Sequence, residues 1–83
     1  MSARILVVDD EEIVIRSCLR ILGGGDYQVE AVRDGREALR KIEENSHDVM
    51  ILDIMMPNMD GLEVLRRVKE AHPDVDVIMI TGL

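Results

Sequence analysis

Val49-Met50-Ile51-Leu52-Asp53-Ile54-Met55-Met56-Pro57-Asn58-Met59-Asp60-Gly61 is the stretch that decides the fold. Val49 to Leu52 shows no polar alternation, which suits a strand covered on both faces. The run ends in an acid, Asp53, and Ile54 to Met59 then form a loop that Pro57 keeps out of regular structure. Asp60 and Glu63 have the spacing of a helix N-cap, in which the capping carboxylate and the third helical residue meet. Val64, Leu65, Val68 and Ala71 follow as an apolar stripe at helical spacing, and the stripe stops at His72-Pro73. A buried strand, an acid-headed loop and an amphipathic helix together make one βα unit.

The same plan repeats on either side. Ile5 to Val8 is another wholly apolar run, ending at Asp9-Asp10. Ile15, Cys18, Leu19 and Leu22 give the first helix its apolar side. Gly23-Gly24-Gly25 then supplies a stop with freedom to turn left-handed. Tyr27 to Val32 is rich in β-formers and leads to Asp34 and Glu37, which repeat the capping spacing. Ala38, Leu39 and Ile42 line the second helix, and the polar stretch Glu43 to His47 closes it. Val75 to Ile80 reads as a fourth strand, ending at Thr81-Gly82-Leu83. Strands alternating with helices predict an α/β fold, with right-handed βαβ units and a parallel sheet carrying helices on both faces. Tyr27 is the sole aromatic residue, so the core must be built of Ile, Leu, Val and Met.

Composition narrows the function. A chain of 83 residues makes one domain, hiding about 60–65% of its unfolded surface. The net charge of −7 opposes phosphate-backbone binding, which depends on clustered Lys and Arg. No nucleic acid is therefore expected as a partner of this segment. The apolar runs are far too short to cross a bilayer, and Met1-Ser2-Ala3-Arg4 leads straight into a strand without the pattern of a secretory leader. No membrane association and a cytoplasmic location are the expectation. Cys18 has no second cysteine to pair with and is expected to pack in the core. His47 and His72 fall in separate loops without a second ligand at helical spacing. His72 is expected to act on the dipole at the end of the third helix.

In parallel α/β sheets, ligands bind beyond the carboxyl ends of the strands. Asp9, Asp10, Asp53 and Thr81 all stand at such ends. Taken singly, Asp9 or Asp10 would read as a helix cap and Asp53 as a turn former. Together they place three carboxylates and a hydroxyl at three strand ends. Like charges gathered there raise one another's proton affinity unless a cation neutralises them. Oxygen donors without His or Cys favour Mg²⁺.

On these residues the sequence resembles the receiver domain of two-component response regulators, the phospho-acceptor half of a bacterial signalling pair. Ile5 to Glu11 is similar to the family's first acidic motif. Asp53 to Gly61 is similar to its D-x-x-M-P-x-M-x-G acceptor loop, and Thr81 follows strand four as the family expects. The resemblance implies a flavodoxin-like sheet, here truncated after strand four. It implies Asp53 as nucleophile and phospho-acceptor, with Mg²⁺ held directly by Asp10 and Asp53, through water by Asp9, and by the backbone carbonyl of Met55. Thr81 would bond a phosphoryl oxygen and bias a switch. The phosphoryl donor would be a histidine kinase or phosphotransfer protein, and the domain would be a signalling acceptor, not a turnover enzyme.

The sequence departs from the family pattern after Leu83. Residues 1–83 are expected to be one incomplete receiver domain, lacking the fourth helix, the fifth strand with its lysine, and the fifth helix. Strand four becomes an open edge, and self-association through it is expected. Two other readings stand beside the acceptor. An Asp-nucleophile phosphohydrolase would need D-x-D-x-[TV], whereas Asp9-Asp10-Glu11-Glu12-Ile13 lacks the second spaced acid. A receiver-like scaffold that only binds a partner would keep the acids without using them.

Overall fold

The computed structural model describes residues 2–56 and 59–80. Its elements run β1 (Ala3–Val8), α1 (Glu12–Leu22), β2 (Tyr27–Val32), α2 (Gly35–Glu44), β3 (Val49–Asp53), α3 (Gly61–Ala71) and β4 (Asp76–Ile80). The strands form one sheet in the order β2-β1-β3-β4, and every pairing is parallel. The expected β-α alternation is therefore present through four strands. β4 begins at Asp76, one residue later than the apolar pattern suggests, because Val75 turns into the core just before the strand.

Alternation along each strand sorts the apolar side chains between two faces. Leu6, Val8, Met50 and Leu52 point to one face, where they join Ala38 and Ile42 of α2 and Val64 and Val68 of α3 in a single core. α2 and α3 lie against each other there. Ile5 and Val7 point the other way and are buried. α1 packs on β1 and β2 and covers this second face with Ile15. β3 and β4 carry the same face outward: Val7 is level with Ile51, and Ile51 with Ile78, yet Ile78 is 54% exposed. α1 spans only half the width of the sheet.

Both capping predictions for the later helices hold. Glu37 N–H donates to Asp34 Oδ1 at 2.8 Å and Glu63 N–H to Asp60 Oδ1 at 2.9 Å, satisfying backbone donors that helix starts leave open. One expectation fails, the burial of Leu19 and Cys18 on α1. Gly23 caps α1 in the right-handed region, φ −80°, with its N–H on Leu19 O, and no described glycine has a positive φ. Leu19 is 37% exposed and Cys18 only half-buried, because among the described residues α1 packs chiefly on β1 and β2. His72 bonds Glu43 Oε1 through Nε2 at 3.0 Å, so its side chain ties α3 to α2. No described helix is long and apolar enough to cross a membrane.

Beside the core, His47 is buried and its Nε2 lies 2.8 Å from Glu30 Oε1. Lys41 and Arg4 approach the same carboxylate at 3.6 and 3.7 Å. The His47 hydrogen bond, with Lys41 behind it, holds the Glu30 carboxyl below the usual glutamate range. Stability from this group is present above the unfolded glutamate value and is lost as the pH falls through Glu30's lower folded value. Glu30→Gln keeps an acceptor for His47 but removes the titration. Its melting temperature should fall less steeply than the parent's on the acid side of pH 5. Parallel acid limbs would show that Glu30 does not carry this part of the pH dependence.

Candidate functional site

The site follows from register. Val8 of β1 is level with Leu52 of β3, so the next residue of each strand, Asp9 and Asp53, emerges side by side at the carboxyl edge. Both are 3% exposed, whereas Asp10 faces solvent. One carboxylate oxygen from each of Asp9, Asp10 and Asp53 lies within 4.8 Å of the other two. The structure thus gathers the three acids that the sequence places at strand ends. Thr81 lies outside the described residues, as does Pro57.

Backbone donors hold the acids in place. Asp9 Oδ1 accepts the Glu11 N–H at 2.9 Å, and Asp9 N–H donates to Val32 O at 3.2 Å. The residue that caps α1 is Glu11, and its side chain makes no capping bond. Asp9 and Asp10 are thereby released from capping and left facing the site. Asp53 Oδ1 accepts the Met55 N–H at 3.2 Å, which folds the start of the loop back over the strand end. Met55 presents its side chain to solvent, 72% exposed. Ile54 N–H reaches Ile80 O at 3.0 Å, and Gly61 N–H reaches Ile54 O at 2.8 Å.

Burial pushes the Asp9 carboxyl above the ordinary range; the Glu11 N–H opposes this, and the charges of Asp53 and Asp10 add to it. Among the described residues, no Lys or Arg forms an ion pair with any of the three acids. Converging, uncompensated carboxylates with only oxygen donors fit a hard divalent cation, which would offset their mutual repulsion.

The glycine at the start of α3 belongs to the same construction. A Cβ on Gly61 would overlap the carbonyl oxygen of Asp53 and stand 2.7 Å from Ile54 Cα. Only a residue without a side chain lets α3 begin this close to the end of β3. Residues 5–83 match the family described as the response regulator receiver domain. The chain belongs to that family.

This receiver domain is 44% identical over 82 residues to the response regulator MprA of Mycolicibacterium vanbaalenii, covering 99% of this chain and 36% of that protein. The chain therefore spans about a third of the length of the curated relatives it matches. Its fold superposes on the response regulator TrrA of Thermotoga maritima, solved in complex with Mg(2+)-BeF, with a TM-score of 0.91 and 36% identity. That match covers 98% of this chain and 70% of TrrA. TrrA has also been solved in complex with the histidine kinase ThkA; against that structure the TM-score is 0.89 at 36% identity, covering 96% of this chain and 69% of that one. The receiver domain's β2-β1-β3-β4 order agrees with the flavodoxin-like arrangement that the sequence motifs imply.

Proposed function

We propose that Asp53 accepts a phosphoryl group from a histidine kinase or phosphotransfer protein, in a Mg²⁺ site completed by Asp9 and Asp10. The observation that carries this reading is the convergence of three carboxylates, two of them buried, at the ends of adjacent parallel strands. TrrA's complexes with Mg(2+)-BeF and with a kinase support it by similarity. Asp10 and Asp53 would hold the ion directly, Asp9 through water, and Met55 through its backbone carbonyl. Mg²⁺, when bound, offsets the charge that keeps an anionic carboxylate and an anionic phosphoryl group apart.

The chain's own residues do the rest. Met55 N–H occupies Asp53 Oδ1, which leaves Oδ2 as the oxygen free to attack. Burial fixes the direction of that attack toward the mouth of the site. An acyl phosphate results and the donor's leaving group departs with its bonding pair; the mark is labile and so transient. Thr81 would donate to a phosphoryl oxygen. The domain acts once per phosphoryl group, as a signal carrier in the cytoplasm.

Incubation with a small acyl phosphate and Mg²⁺ should give one labile phosphate adduct by intact mass, and chelator should prevent it. No adduct at any Mg²⁺ concentration would favour the partner-binding scaffold instead. Sustained, Asp9-dependent turnover of a phosphate ester would favour a phosphohydrolase.

The outer edge of β4 supports a further reading, that the chain self-associates. Among the described residues β4 pairs only with β3, and Ile78 beside that edge is exposed. Open edges with apolar neighbours template association. Sedimentation velocity should show a dimer that grows with concentration and weakens in Ile78→Lys. A single monomeric boundary at the highest concentration would refute it.

A further inference from the structure

We infer that Gly35 is a positioning residue for the Mg²⁺ site, acting from α2 through the first turn of α3. The inference rests on the reading of the acidic site given above. Gly35 is the first residue of α2 and is buried. A Cβ there would stand 2.7 Å from Val64 Cγ2, 3.1 Å from Met59 Cβ and 3.2 Å from Met59 Sδ. Its φ is not in the left-handed region, so the requirement for glycine is space and not backbone freedom.

The contacts on either side make this space consequential. α2 cannot slide away, because Ala38 and Ile42 are locked in the core and Asp34 caps the helix start. Val64 is fully buried and β-branched, so its methyl has little room to rotate aside. Met59 belongs to the acceptor loop, and its side chain packs against the core. Three residues before Val64, Gly61 is pressed against the Asp53 carbonyl. An extra methyl at position 35 must therefore push Met59 and the first turn of α3, and that turn has no slack against the main chain of Asp53. Close packing transmits such a shift instead of absorbing it. Gly35 reaches neither the ion nor the phosphoryl group; it sets where the residues that do so can stand.

The test is Mg²⁺ titration by calorimetry on the full chain, with a urea unfolding curve beside it. Gly35→Ala should weaken Mg²⁺ binding about tenfold, the lower end of what displaced supporting residues cost a metal site. Gly35→Ala/Val64→Ala, which removes the methyl that the new Cβ meets, should return the affinity to within about threefold of the parent although it loses a core side chain. A purely structural glycine predicts the opposite, an affinity that tracks stability downward from single to double variant. If Gly35→Ala does not fold, Met59→Val, which sets a β-branch against Gly35 from the loop, should show the same tenfold weakening. Parent-like affinity in the single variant, or no recovery in the double, overturns the inference alone. A parent chain that binds no Mg²⁺ overturns the reading of the acidic site and this inference with it.

Discussion

Asp53→Asn is expected to abolish the Mg²⁺-dependent phosphate adduct while leaving the fold at least as stable as the parent. The amide is nearly isosteric with the carboxylate, and its oxygen can still accept the Met55 N–H that Asp53 Oδ1 accepts at 3.2 Å. The substitution takes away the proposed nucleophile, for which a neutral amide is no substitute. It also removes one of three negative charges within 4.8 Å of one another. Asp9, raised first by burial and further by the Asp53 charge, should then titrate closer to the ordinary aspartate range. An NMR titration of the carboxyl carbons reads that shift. The melting temperature without Mg²⁺ should be unchanged or higher, because repulsion is relieved, and the rise produced by adding Mg²⁺ should shrink. An Asp53→Asn chain that still gains the adduct would mean that another residue accepts the phosphoryl group.

Gly61→Ala should be the most destabilising single methyl in the molecule. Its Cβ would overlap the Asp53 carbonyl oxygen and approach Ile54 Cα to 2.7 Å; both obstacles are backbone, which cannot change rotamer to make way. The same movement would strain the 2.8 Å bond from Gly61 N–H to Ile54 O. α3 is anchored by Val64 and Val68, 0% and 1% exposed, so its start cannot lift without opening the core. Overpacking of this kind costs about 3 kcal/mol, to be measured by urea unfolding. Gly24→Ala is the matching control: a Cβ there meets nothing within 4 Å, and its effect should lie within about 0.5 kcal/mol of zero. Equal effects at the two positions would show that the close approach at Gly61 does not matter.

The acids were legible in the sequence because strand ends are. Two wholly apolar runs marked β1 and β3, and the acid that ends each fell at the carboxyl edge once the sheet proved parallel. The caps of α2 and α3 were equally legible, since Asp34 and Asp60 act on residues only three positions away. What escaped was tertiary. Nothing in Arg33-Asp34-Gly35 shows that Gly35 meets Val64 and Met59, because that contact exists only after α2 and α3 pack together. The glycine triplet reads as a helix stop with freedom to turn left-handed, and Gly23 is that stop while staying right-handed; a glycine permits a positive φ without requiring one. The stripe on α1 predicted more burial than Leu19 and Cys18 receive, since periodicity says which side is apolar but not whether a neighbour covers it. A helical signal at its end suggested a dipole role for His72, and only the fold could bring Glu43 to it.

A phosphoryl group proposed to reside on Asp53 can be located there by borohydride trapping. An acyl phosphate is reduced by hydride to the alcohol with loss of phosphate, so the accepting aspartate becomes homoserine and can be located by peptide mapping. After treatment with a small acyl phosphate and Mg²⁺, homoserine should appear at position 53 alone and vanish when chelator replaces Mg²⁺. Homoserine at position 9 or 10, or an unmodified residue 53 in a chain that carries the phosphate, would show that Asp53 is not the acceptor.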